Sequence, residues 1–105
     1  MTRVELLWWE GCPSAARARS ELREAMAAAG LDPDALEERE ISTDGAAEAD
    51  DFVGSPTVRV DGADIAPPPA GEPRGLACRV YHRRDGRVAP TPDPADLQEA
   101  LDASR

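Results

Sequence analysis

The sequence predicts a single α/β domain with a mixed central sheet flanked by helices. Three observations predict it: a strand-length apolar run at 4–9, a helical pattern directly after it at 13–29, and short β-type segments separated by turn signals further along. The chain has 105 residues, enough for one hydrophobic core, so we expect one domain over residues 1–105.

The first two elements follow from apolar spacing and from turn residues. The run at 4–9 is nearly continuous, which is typical of a central strand covered on both faces. It ends at Gly11, which permits a tight turn, and Pro13 suits the first position of a helix. Apolar residues then recur at intervals of three and four up to Ala29, and Gly30 provides the helix stop.

The middle of the chain predicts shorter elements. Residues 36–41 are mostly charged, which favours a short strand at the edge of the sheet. Ser42 or Thr43 can cap a short helix reaching about residue 50. A strand at 57–60 follows, preceded by a Ser-Pro dipeptide.

The last third begins with a hairpin signal. Asp61-Gly62 predicts a tight turn, after which 63–66 can return as a strand. A stiff proline-rich loop follows at 67–75, and 76–82 has the composition of a further strand. A closing helix is predicted after it, with its cap and first residue at Asp93 and Pro94. The predicted order is β-α-β-α-β-β-(β)-α.

The charge balance excludes several classes of partner. Lys and Arg number 12 against 21 Asp and Glu, a net charge of −9. This field repels phosphate groups, so neither nucleic acid nor an anionic membrane is an expected partner. The chain start is typical of a first strand rather than a signal peptide, and we therefore expect a reducing, cytoplasmic setting.

Cys12 is the first candidate for chemistry. It follows the predicted central strand and precedes the first helix, the edge at which open α/β sheets collect reactive groups. Free backbone N–H groups and the helix dipole favour a thiolate there. A small buried core residue is the alternative for such a cysteine. Gly11 and Pro13 favour an exposed turn instead, so we predict that Cys12 is reactive.

The Ser55-Pro56 dipeptide is the second candidate. A proline just before a strand loses nothing by lacking an N–H group, and a Ser-Pro bond can be cis. Taken alone, an ordinary trans proline at the start of a strand is the commoner explanation.

Together these features resemble the thioredoxin-like superfamily, including its glutaredoxin-like members. The resemblance rests on a strand ending in Gly-Cys-Pro, a helix, a strand and a helix, then Gly-Ser-Pro-Thr-Val-x-Val-Asp-Gly, and it covers residues 4–60 and the last helix. It implies Cys12 as the nucleophile, Pro56 as its cis-proline neighbour, and thiols or disulfides of proteins or small molecules as partners. No cofactor or metal site is implied. The implied groove residues are Ser55, Pro56, Thr57, Gly11 and Pro13.

The sequence departs from the familiar motifs of that superfamily. Ala15 stands where a Cys-x-x-Cys motif has its second cysteine, and Ser14 is one residue too early for Cys-x-x-Ser. Gly11 occupies the place of the thioredoxin tryptophan, and Leu6 that of the inward aspartate. The resemblance therefore implies one activated cysteine rather than a general dithiol reductase.

Cys78 has two alternative placements. If 76–82 pairs directly with 57–60, Cys78 begins far from Cys12, beyond the Cα separation of about 7 Å that a disulfide allows. If 63–66 is the returning strand, the chain comes back to the Cys12 edge and Cys78 starts close to it. A resolving thiol, or a two-coordinate site for a soft metal, would follow from the second arrangement.

The leading prediction is a thiol–disulfide redox protein that acts through Cys12, with Cys78 as a possible resolving thiol. One alternative is a non-redox binding module that keeps the fold and the groove. Another is capture of mercury or copper by the two cysteines. The opening Gly-Cys-Pro-Ser and the late Gly-Leu-x-Cys-Arg-Val-Tyr segment also resemble small thioredoxin-like proteins, some of them labelled alkylmercury lyase-like.

Overall fold

The sheet is mixed and four-stranded, as the sequence predicts for an α/β domain. A computed structural model describes residues 2–104. The four strands span Val4–Trp8 (β1), Glu37–Glu40 (β2), Thr57–Val60 (β3) and Ala63–Asp64 (β4). They lie in the order β2-β1-β3-β4; β2 is parallel to β1, β3 is antiparallel to β1, and β4 is antiparallel to β3.

Three helices cover the two faces of this sheet. They are α1 (Ala15–Ala28), α2 (Asp44–Ala49) and α3 (Pro94–Ala103). Because neighbouring side chains of a strand point to opposite faces, Leu6 packs into the cluster with α1 and α3, whereas Leu7 packs into the cluster with α2. The predicted central strand is thus confirmed as covered on both sides.

The helix boundaries follow local capping chemistry. Thr43 accepts a hydrogen bond from the Ala46 amide at the start of α2, and Asp93 accepts one from the Ala95 amide at the start of α3. The start of α1 is two residues later than predicted, with Ser14 as its N-cap, since Cys12 is still part of a turn in which its N–H donates to the Trp9 carbonyl at 3.1 Å. The charged strand β2 lies at the sheet edge as predicted.

The prediction of a strand over 76–82 is wrong for most of its length. Only Tyr81–His82 (β5) is a strand, and it pairs with Val88–Ala89 (β6) in a separate two-stranded sheet. The reason is that the open side of β3 is already taken, because β4 pairs there and the Ile65 amide donates to the Val58 carbonyl at 3.1 Å. The segment before β5 is left with one partner residue, Ser55.

The returning strand is the one that Asp61-Gly62 predicts. Both turn residues have positive φ, 51° and 85°, as a tight hairpin turn requires.

Within residues 2–104, none of the helices is both long enough and apolar enough to cross a membrane.

Candidate functional site

Cys12 lies beneath the surface at the end of β1. The residue is only 3% exposed, while its neighbours Gly11 and Pro13 are both exposed. The predicted exposed turn is therefore right for the two neighbours and wrong for the cysteine itself. Its Sγ donates a hydrogen bond to the Ser55 carbonyl oxygen at 3.4 Å. This bond requires the thiol proton.

Glycine is required at position 11 because the Trp9 side chain approaches its backbone closely. A Cβ at this position would lie 2.3 Å from Cζ2 of the Trp9 indole, well inside contact distance. The Trp9 ring thus lies against the backbone just before Cys12 and helps to fix the turn.

The start of α1 follows Cys12 closely in the chain and has no side-chain cap. Ser14 makes no side-chain capping hydrogen bond, and the first turn of α1 carries no acidic residue. Backbone N–H groups in such a turn stabilise a nearby anion. The end of β1 therefore brings Cys12 close, along the chain, to a helix start whose amides have no side-chain cap.

Ser55 and Pro56 lie fully inside the protein. The bond between them is cis, the isomer that the resemblance implies. Thr57 follows as the first residue of β3, and its hydroxyl donates to the Gly54 carbonyl at 2.7 Å. The Ser55 hydroxyl oxygen is buried and has no hydrogen-bond partner within residues 2–104.

Cys78 lies against the same residue, Ser55. The two form an isolated parallel bridge, in which the Ser55 amide donates to the Ala77 carbonyl at 2.7 Å and the Arg79 amide donates to the Ser55 carbonyl at 2.8 Å. The Ser55 carbonyl therefore accepts from both the Cys12 thiol and the Arg79 amide. Of the two placements open from sequence, the structure has the one that brings Cys78 to the Cys12 edge.

The two thiols also influence each other directly. The side chain of Cys12 raises the pKa of the Cys78 thiol, and burial raises it further. Both cysteines are free thiols, and Cys78 is exposed whereas Cys12 is buried. Cys78 is thus the accessible member of the pair and also the one that tends to keep its proton.

An ion pair beside Cys78 holds its segment in place. The Arg79 guanidinium lies 2.8 Å from an Asp64 carboxylate oxygen, with the two side chains 10% and 16% exposed. The same guanidinium donates to the Ala66 carbonyl at 2.7 Å and to the Thr57 hydroxyl at 3.1 Å. It also stacks over the Tyr81 ring, 4.6 Å from the ring centre.

Tyr81 adds a second anchor from the same segment. Its buried hydroxyl donates a hydrogen bond to the Pro56 carbonyl. Burial raises the pKa of this phenol well above its ordinary value, so it remains a neutral donor at all physiological pH values. Residues on both sides of Cys78 are therefore fixed to the Ser55–Thr57 segment.

Sequence reasoning assigned no role to Arg79, Asp64 or Tyr81. The spacing of Arg79 and Tyr81 puts them on one side of an extended segment, and this was the one available signal. Nothing local indicated that Asp64, on the far side of the proline-rich loop, would meet them.

The chemistry of this site is that of two thiols beside a buried proline. Within residues 2–104, no group of three or more His, Cys, Asp or Glu side chains is placed to hold a metal ion. Comparisons with protein-family models, with curated proteins and with solved structures found no match for this chain. The thioredoxin-like resemblance therefore rests on the residues described above.

Proposed function

We propose that this protein is a thiol–disulfide redox protein of thioredoxin-like fold in which Cys12 and Cys78 form the redox pair. The observation that carries the proposal is that both cysteines contact Ser55: Cys12 donates a hydrogen bond to its carbonyl, and Cys78 forms a β-bridge with it. The mixed sheet and the helix that begins at Ala15, shortly after Cys12, support the fold assignment. A reducing, cytoplasmic setting is part of the proposal.

The first contact with substrate is assigned to Cys78, which differs from the order that the resemblance implies. An external disulfide must approach the attacking sulfur in line, and Cys12 is 3% exposed while Cys78 faces solvent. Cys78 loses its proton as it attacks the substrate disulfide and forms a mixed disulfide with one of the two substrate sulfurs. The other substrate sulfur leaves as a thiolate and takes up that proton, so one substrate thiol is released.

Cys12 then completes the exchange from its buried position. Its sulfur loses its proton and attacks the Cys78 sulfur of the mixed disulfide, which releases the second substrate thiolate. That proton ends on the departing thiolate. One substrate disulfide is reduced to two thiols, and the protein is left with a Cys12–Cys78 disulfide.

Single-cysteine variants test this order with hydroxyethyl disulfide as substrate. We expect Cys12→Ser to accumulate a stable adduct on Cys78, because no resolving thiol remains, whereas the wild type passes through the adduct to the internal disulfide. Cys78→Ser is the matched control and should form an adduct at least tenfold more slowly. Adduct formation on Cys12 of that control at the rate seen on Cys78 would overturn the assignment. Circular dichroism of each variant checks that it is folded.

Soft-metal binding by the same two thiols is a second candidate function. Linear two-thiolate coordination suits mercury(II) and copper(I), and the placement of Cys12 and Cys78 against the same residue, Ser55, favours it. We expect binding of one mercury(II) ion per chain that is lost in Cys78→Ser. Binding that survives this substitution would exclude a shared two-thiol site.

A further inference from the structure

The exposed thiol of Cys78 lines a groove with apolar walls. The groove has a volume of about 450 Å³, within the range of sites for small ligands. Val80, on the wall next to Cys78, is 63% exposed, one of the two large apolar side chains that remain so in residues 2–104. The apolar side chains of the walls come from Pro68, Pro69, Pro73, Val53, Ala77 and Val80.

The groove carries an excess of negative charge. Arg79 lines it, but its guanidinium is already paired with the Asp64 carboxylate at 2.8 Å. Glu72 lines it as well. The nearby Arg74 pairs with the Asp51 carboxylate at 3.0 Å, and its contact with Glu72 is to the main-chain carbonyl rather than to the carboxylate. Within residues 2–104 the Glu72 carboxylate makes no ion pair, so it is the uncompensated charge of the groove.

We propose that this groove selects low-molecular-weight disulfides that carry a positive charge near the sulfur atoms, and that it disfavours those that carry carboxylates. The proposal rests on the redox function proposed above and adds its substrate class. The substrate disulfide is the oxidant: it takes two electrons from the thiols of Cys12 and Cys78 and leaves as two thiols. Glu72 attracts the cationic group while the proline wall packs against the carbon chain. The net charge of −9 acts in the same direction at longer range.

Three disulfides of similar size and different charge test the selection. The fully reduced protein is allowed to react with cystamine (cationic), hydroxyethyl disulfide (neutral) or dithiodipropionate (anionic), and the rate constant of each reaction is measured. Each rate constant is divided by that of the same disulfide with free mercaptoethanol, which corrects for the intrinsic reactivity of the disulfide. We expect cystamine to react about tenfold faster than dithiodipropionate on this scale at low salt. The ratio should shrink in high salt, which screens charges at this distance.

Two glutamate variants separate the groove from the overall charge. Glu72→Gln should lower the cystamine preference about threefold. Glu48→Gln, an exposed residue of α2 outside the groove, makes the same change in net charge and should leave the ratio nearly unchanged. Equal effects of the two substitutions would contradict a local role for Glu72.

The outcomes distinguish the inference from the function on which it rests. Formation of the Cys12–Cys78 disulfide with all three probes at equal normalised rates would overturn the charge selection and leave the redox function in place. If none of the probes yields that disulfide, the redox proposal itself fails. A preference for cystamine that Glu72→Gln reduces and Glu48→Gln does not is the result that we expect.

Discussion

Arg79 and Asp64 form an ion pair of 2.8 Å that ties the Cys78 segment to the hairpin following β3. Both side chains are mostly out of solvent, at 10% and 16% exposure, so the pair is not the weakly stabilising kind found on surfaces. Because the Arg79 amide also donates to the Ser55 carbonyl at 2.8 Å, the residue after Cys78 is fixed at both its backbone and its side chain. We infer that this pair positions the exposed thiol.

Substitution of Arg79 by Met tests that role. The change leaves the Asp64 carboxylate buried and unpaired, and we expect the free energy of unfolding to fall by about 3 kcal/mol. Urea denaturation followed by tryptophan fluorescence measures it. Arg84→Gln is the control: Arg84 is 51% exposed and pairs with Asp96 and Glu99, so its loss should cost less than about 1 kcal/mol.

A double variant keeps this prediction testable if Arg79→Met does not fold. Asp64→Leu combined with Arg79→Met removes both charges, and replacement of a buried pair by apolar side chains restores much of the lost stability. Wild-type stability of the single variant Arg79→Met would contradict a structural role for the ion pair.

Gly54 is required by the same packing. Its φ is +151°, and a Cβ there would lie 2.6 Å from Cγ of Arg79. We expect Gly54→Ala to cost about 2 kcal/mol through backbone strain alone, and to push the Arg79 stem away from β3. Gly45→Ala is the opposite case, because Gly45 is in α2 with its nearest atom 4.0 Å away, and it should stabilise by about 0.5–1 kcal/mol. Thermal unfolding of the two variants under the same conditions tests this difference. Equal shifts in melting temperature would contradict the requirement for glycine at position 54.

Alkylation of Cys78 should depend on pH in a way that Cys12 controls. The pKa of Cys78 is raised, first by the neighbouring Cys12 side chain, so at pH 8 less of it is thiolate than in an ordinary cysteine. Cys12→Ala removes that neighbouring thiol, and the pKa of Cys78 should fall. We therefore expect the midpoint of iodoacetamide labelling against pH to move downward in the variant. An unchanged or higher midpoint would mean that the two thiols do not interact.

The elements around Cys12 could be predicted from sequence because their signals are local. The apolar spacing of α1, the Thr43 and Asp93 caps and the Asp61-Gly62 turn each act within a few residues, and each is present in the structure. The charged strand β2 was also predictable, since only an edge position tolerates four exposed residues in a row.

The Cys78 side of the site could not be predicted in the same way. Its position depends on which strand fills the open edge of β3, and that choice is made by contacts between distant parts of the chain. The burial of Cys12 likewise involves a distant residue, Ser55, whose carbonyl accepts its thiol, and local turn signals at Gly11 and Pro13 do not reveal it. The ion pair of Arg79 with Asp64 spans the whole proline-rich loop.

The mass of the intact chain after mild oxidation with diamide tests the central claim most directly. The account predicts a monomer lighter by two hydrogen atoms, with Cys12 and Cys78 joined in one peptide pair after non-reducing digestion, and full reversal by dithiothreitol. Cys78→Ser, treated identically, should keep its original monomer mass. A wild-type chain that retains two free thiols, or that forms only disulfide-linked dimers through Cys78, would contradict the account.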